Sequence, residues 1–260
     1  MAKWKLLLSC IPYVLVVAGL DYFVSEVIGF SGIVEFADVA LVLTGGIFLI
    51  GFMLAGTMQD YKESEKIPGE LASFFESLEE TILQAAASAK TPIDKKLYIQ
   101  ELHHTVETVL HWLHKRKSQE EMFASLHALT KKIIEFEAAG ANGGACGKII
   151  GDVHSIRKIV TRIGVISRTG FLATGYALLE VLIFCIVCLL IISKFKTVQA
   201  EYILISFVTT IYVYMYRLIK DVDDPFEYSP DEDFDEANAT EIPLFPIREY
   251  LIRSKARHGQ

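Results

Sequence analysis

The sequence predicts an all-α, polytopic membrane protein with four transmembrane helices and a cytoplasmic helical bundle. Three observations carry that reading. Two uncharged hydrophobic stretches lie near each end of the chain. Residues 60 to 166 between them are polar and patterned as helices. The chain is 52% hydrophobic and 22% charged, too apolar for an ordinary soluble domain and too charged to lie wholly in lipid.

The first span follows Lys3 and Lys5 and runs from about Leu6 to Val27, carrying Pro12, Asp21 and Glu26. A basic start before an apolar run also fits an export signal. The absence of a small-x-small cleavage site before polar sequence favours a retained helix. The second span, Val39 to Met58, is long enough at about 1.5 Å per residue to cross a hydrocarbon core of about 30 Å. The third, Thr169 to Ser193, starts after Arg168; the fourth, about Tyr202 to Tyr216, stops at Arg217 and Lys220. Of the 25 Lys and Arg, only Lys194 and Lys196 fall outside if both termini and the middle region are cytoplasmic. In a bacterial host that membrane is the inner one. The predicted segments are a first hairpin (1–58), a cytoplasmic helical domain (59–166), a second hairpin (167–220) and an acidic cytoplasmic tail (221–260).

Four apolar stripes at helical period mark the middle segment. They are Leu71, Phe74, Phe75, Leu78 and Ile82; Ile99, Leu102, Val106, Leu110 and Leu113; Met122, Leu126, Leu129, Ile133 and Phe136; and Ile149, Val153, Ile156, Val160 and Ile163. Pro68 and Pro92 stand where helix starts are expected, and Asn142 to Gly144 reads as a flexible loop. No proline occurs between Lys148 and Lys194, so the last bundle helix is free to run straight into the third span. Residues 221 to 241 hold ten Asp or Glu and no Lys or Arg, which predicts an irregular or draped tail. With a net charge of −7 concentrated there, nucleic acid is excluded as a partner; the partners expected are the lipid bilayer, inorganic ions and further copies of the chain.

On a helical wheel of about 100° per residue, the second span separates its side chains. Thr44, Gly45, Phe48, Gly51, Phe52 and Ala55 share one side. Val39, Val42, Leu43, Ile47, Ile50, Met53 and Leu54 share the other, which reads as lipid-facing. Either the small residues let a neighbouring helix approach closely, or Thr44, Phe48 and Phe52 project as stacked rings into a symmetric pore. Within the spans, Asp21 and Glu180 are costly at about 2.5 to 3.5 kcal/mol each near a helix centre, so they should face protein or water. Glu180, near the middle of its span, suits a buried hydrogen bond or an ion path.

His103, His104, Glu107, His111 and His114 fall within an arc of about 100° on one bundle helix. They read as boundary or subunit-contact histidines, with His104, Glu107, His111 and His114 as the transition-metal or pH-sensing alternative. Glu101-x2-His104 has the spacing of half a di-iron site, but no second Glu-x2-His exists. Cys185-x2-Cys188 sits among aliphatic residues and reads as packing rather than zinc ligation. Gly140 to Lys148 does not fit a phosphate-binding loop, and neither a nucleophile elbow nor a zinc-protease motif is present. The chain therefore does not read as an enzyme, and no cofactor is required.

Gly51-Phe52-Met53, followed by Gln59-Asp60-Tyr61 and Ile67-Pro68-Gly69-Glu70-Leu71, resembles the end of the second membrane helix of bestrophins and their bacterial relatives. Asp224-Pro225-Phe226 with the acidic run from Asp231 to Asp235 resembles their Asn-Pro-Phe element, and Glu241-Ile242-Pro243-Leu244 their Leu-Pro-Leu segment. The resemblance implies a homo-oligomeric channel, a pentamer, conducting anions such as chloride in most members and cations in some bacterial ones. It carries the family's hydrophobic neck over to Thr44, Phe48 and Phe52, with Thr44 departing from the apolar residue usual there. It also makes Asp224, Asp231 and Asp233 the positions for a calcium clasp. Asp in place of Asn before the proline, Glu227 in place of Gly, and the longer spacing favour a solvated tail instead. The rival reading is a non-conducting, membrane-anchored scaffold or metal/pH sensor acting through the helical bundle. It requires the Phe48 and Phe52 side to be buried between helices of one subunit.

Overall fold

The computed structural model describes residues 2–30, 32–169, 173–231 and 240–259. In chain order its helices are α1 (Ala2–Tyr22, continued by a π turn over Phe23–Val27), α2 (Phe36–Ser64), α3 (Ile67–Ser88), α4 (Lys95–Leu113), α5 (Gln119–Ala138), α6 (Gly143–Ile166), α7 (Ala173–Ile191), α8 (Val198–Asp223) and α9 (Phe245–His258). Two strands of two residues each, β1 (Val34–Glu35) and β2 (Ser193–Lys194), pair in parallel with Val34 opposite Ser193. The chain divides into two compact units, Met1–Tyr61 with Gly170–Asp224, and Lys62–Thr169 with Pro225–Gln260.

Four helical stretches are long and apolar enough to cross a membrane: Trp4–Val27, the stretch that begins at Phe36, Thr174–Ile191 and Val198–Asp223. α2 outlasts the expected span because charge ends a membrane-buried stretch without ending a helix. Gln59 to Ser64 contains good helix formers, and Lys62 in the last turn complements the helix dipole. The β1–β2 ladder was not foreseen, since two-residue strands leave no periodic signal. It depends on Gly32, whose φ is +72° and whose Cβ, if present, would lie 2.7 Å from the Ser193 carbonyl oxygen.

The core of the first unit corrects the reading of the second span's aliphatic side in part, since Val42 and Ile47 stay 42% and 52% exposed. Val39, Leu43, Ile50 and Met53 are not lipid-facing; they pack with Leu179, Ile186, Leu190, Ile205, Tyr212 and Ile219. Tyr212 is 1% exposed and donates its hydroxyl to the Leu43 carbonyl at 2.6 Å. Gly46 makes this approach possible, because a Cβ there would meet the Tyr212 hydroxyl at 2.6 Å and Ile186 Cδ1 at 2.9 Å.

In the second unit each apolar stripe becomes a buried face. Leu71, Phe75, Leu78, Ile82, Leu102, Val106, Met122, Leu126, Ile156 and Val160 are all at most 3% exposed. The side chain of Ile133 lies outside the described residues. Caps set the helix starts: Asp94 accepts from the Lys96 amide, so α4 begins after Pro92 rather than at it, and Ser118 with Glu121 forms a reciprocal capping box on α5. Asn142 to Gly144 is not a loop. Asn142 caps α6 through the Gly144 amide, and the two glycines form the first turn. α6 closes at Ser167, whose amide bonds to the Ile163 carbonyl, instead of running on into the third span.

The tail is draped at first and then helical. Phe226, Tyr228, Ile242 and Leu244 are buried, with Tyr228 stacked on His114 and donating to the Ile242 carbonyl. Beyond them, α9 has Pro246 in its first turn, basic residues in its last and Gly259 closing it at φ +66°. It buries Ile247, Tyr250 and Ser254 in the second unit. Its charged end meets Glu79 on α3, which is 2% exposed and is held by Arg257 at 3.0 Å and His258 at 2.9 Å. Burial alone would raise the Glu79 pKa, but hydrogen bonds from Ser254 and His258 and the charge of Arg257 bring it below the ordinary carboxylate value.

Two outcomes test this packing. Gly46→Val should destabilise the detergent-solubilised protein by about 1–3 kcal/mol through overpacking against Tyr212, read as a lower midpoint of thermal unfolding. Because the folded pKa of Glu79 is depressed, its contribution is present above the ordinary value of 4.5 and is lost as pH falls through the lower folded one. Glu79→Ala should therefore cost about 2–3 kcal/mol at neutral pH, and melting curves should show that the cost shrinks under acid.

Candidate functional site

One side of α2 is consumed by packing, so the opposite side is what the helix presents outward. Taking Phe48 as its centre line and about 100° per residue, Ala37, Leu41, Thr44, Gly45, Gly51, Phe52, Ala55, Gln59 and Lys62 lie within about 60° of it. All of them are exposed. Leu41, Phe48 and Phe52 are 79%, 76% and 69% exposed, and a Cβ at Gly45 or Gly51 would meet nothing within 4 Å. The small residues on this side thus do not serve close packing within the chain. Leu41 belongs to the same side one turn earlier and went unremarked in the sequence; its helical phase was the signal that could have found it.

Thr44, Phe48 and Phe52 stand about 6 Å apart along the axis, four residues at 1.5 Å each. Thr44 donates its hydroxyl proton to the Ala40 carbonyl at 2.9 Å, so it offers no donor outward. All three levels are therefore donor-free. Within the chain, then, this side is not buried between its own helices.

Asp21 is 1% exposed, and neither of its carboxylate oxygens has a hydrogen-bond partner among the described residues. Glu180 is exposed, yet accepts a hydrogen bond from the Tyr216 hydroxyl at 2.5 Å. Arg217, the next residue of α8, donates to Ser9 and lies over the Tyr13 ring at 5.0 Å. That pairing of α1 with α8 could not be read from helical periodicity alone.

The histidines do not converge. His103 is buried with Nε2 2.7 Å from Ser254 Oγ, and His114 is buried with Nδ1 3.0 Å from the Leu110 carbonyl. His104 is exposed, and Glu107 pairs with Lys255. Burial, with Arg116 and Lys117 alongside, holds His111 below the ordinary imidazole range. Among the described residues no group of three or more His, Cys, Asp or Glu is placed to hold a metal ion. The transition-metal reading of His104, Glu107, His111 and His114 thus finds no cluster within the chain: the four share an arc of the helix, but Glu107 is taken by Lys255 of α9 and His114 by the Leu110 carbonyl. Of the calcium positions, Asp224 ends α8, Asp231 is exposed, and Asp233 lies outside the described residues.

No protein-family model and no curated protein matches the chain. Solved structures do. Two single-site variants of a bacterial bestrophin homolog from Klebsiella pneumoniae superpose with TM-scores of 0.74 and 0.78 at 13% and 12% identity, covering 99% and 98% of both chains. A zinc-phased crystal of a homolog from the same organism gives 0.73 at 14% identity, covering 100% of this chain and 99% of that one. The resemblance seen in short motifs is thus matched by the fold: a predominantly helical chain with four candidate membrane helices arranged as in bacterial bestrophin homologs.

The dispersal of the histidines has a measurable consequence. A transition-metal site of micromolar Kd, supplied with free Zn²⁺ at about a hundred times that Kd, would stabilise the protein by about 2.7 kcal/mol. Thermal melts with and without Zn²⁺ should instead superimpose.

Proposed function

We propose that this protein is a bestrophin-like ion channel, conducting anions such as chloride through a pore lined by α2, with Thr44, Phe48 and Phe52 as its hydrophobic neck. In this reading several copies, five by the resemblance, gather around an axis with their α2 helices innermost. The chain is a multi-pass membrane protein with both termini and the second unit in the cytoplasm, in keeping with the placement of its Lys and Arg. Its activity is permeation, not catalysis.

The observation that carries the reading is the two-sidedness of α2. Its aliphatic side is spent on α7 and α8, while its other side leaves two aromatic rings, two glycines, a threonine and a glutamine outward. The exposed surfaces of α1 and α7 are largely apolar, with Leu8, Ile11, Leu15 and Val16 on the first and Leu178, Val181 and Phe184 on the second. A side with glycine gaps and a polar end suits a water-filled axis better. Rings of Phe48 and Phe52 there would oblige an ion to shed part of its hydration, and such a constriction gates by wetting and dewetting.

Phe52→Ala should widen and wet the neck, raising chloride flux from proteoliposomes by about tenfold, while Phe184→Ala on α7 should leave it unchanged. Equal flux from the Phe52 variant and the unmodified channel would overturn the assignment of the neck.

A further inference from the structure

We infer that Lys62 sets the sign of the permeating ion, acting as a ring of positive charge at the inner end of the α2 path. The inference rests on the pore reading and adds what that reading leaves open, since three donor-free levels are nearly blind to charge sign. Selectivity must then come from charged groups further along the same side of α2.

Only two ionisable residues of α2 lie within about 60° of the Phe48 centre line, Lys62 and Glu63. Glu63 sits at the margin of that arc and is committed to Arg162 at 2.6 Å. Lys62 lies about 40° from the centre line and about 15 Å beyond Phe52 along the axis. It is exposed and has no ion-pair or hydrogen-bond partner among the described residues. Asp60, the next carboxylate back along α2, points about 160° away from Lys62 around the helix. At the outer end Asp38 stands about 80° off the centre line, on the flank of the path.

The charge bookkeeping along this side therefore leaves one unpaired cation per chain. Repeated around an axis and bordered by low-dielectric walls, such charges concentrate anions and repel cations within about 8 Å at physiological salt. Gln59, one turn earlier on the same side, supplies amide donors between the neck and the lysine ring. An anion leaving the donor-free neck would meet hydrogen-bond donors first and positive charge next.

The test is the reversal potential of the full-length channel in bilayers across a KCl gradient, for the unmodified protein and for Lys62→Arg, Lys62→Gln, Lys62→Glu, Asp38→Asn and Phe52→Ala. The unmodified channel and Lys62→Arg should prefer chloride. Lys62→Gln should lower the chloride-to-potassium permeability ratio at least about fivefold, as expected for removing a unit charge about 10 Å from the ion. Lys62→Glu should invert the preference. Asp38→Asn should leave the ratio nearly unchanged.

A cation-selective unmodified channel, or a ratio unmoved in both Lys62→Gln and Lys62→Glu, would overturn the inference. If Phe52→Ala still raises conductance in that case, the pore reading survives without it. A ratio controlled by Asp38 instead would also overturn it. Absence of current from the unmodified and Phe52 channels alike would sink the pore reading and the inference together.

Discussion

The contact between Gly46 and Tyr212 decides which way α2 faces, and the rest of the reading depends on it. A bare backbone at Gly46 lets the Tyr212 ring reach the Leu43 carbonyl, and Ile186 closes on the same spot. With that point pinned, Val39, Leu43, Ile50 and Met53 turn inward along the helix by periodicity alone. The side carrying Phe48 and Phe52 then has nowhere to go but outward. A helix with both sides apolar leaves its rotation ambiguous in sequence; one glycine opposite one tyrosine removes the ambiguity.

A comparable economy orders the second unit. Its four long helices bury regular stripes, whereas α9 is held by a short apolar contact and by the charges around Glu79. A buried carboxylate with a guanidinium and an imidazole as partners is costly to break and specific in register. It explains why His103 and Ser254 are turned toward each other and why Lys255 takes Glu107. The second pairing takes Glu107 out of the set that helical phase suggested for a metal.

What could be read from the sequence follows the reach of each signal. The stripes Leu71 to Ile82 and Ile149 to Ile163 are long and periodic, so their burial was legible, as were the membrane stretches. α9 was missed because the acidic run before it set the tone for the whole tail. Yet Pro246, the spacing of Ile247, Tyr250 and Ser254, and Gly259 together form a helix signature. The orientation of α2 was half legible: the two sides were separable, but the aliphatic one was assigned to lipid. Its true neighbours, Leu179 and Tyr212, lie more than a hundred residues away, and no local pattern reports such partners.

Thr44 shows how a departure from a family's pattern can be absorbed chemically. A hydroxyl in place of an apolar side chain suggests a wetter ring, yet its proton is given to Ala40 one turn back, so the group presents no donor to an ion outside. In the proposed channel the neck then acts on hydration, which small anions and cations both carry. A barrier made of hydration sets how much passes and when. The sign of what passes has to be written in fixed charge elsewhere, and on this side of α2 the unpaired fixed charge is a lysine.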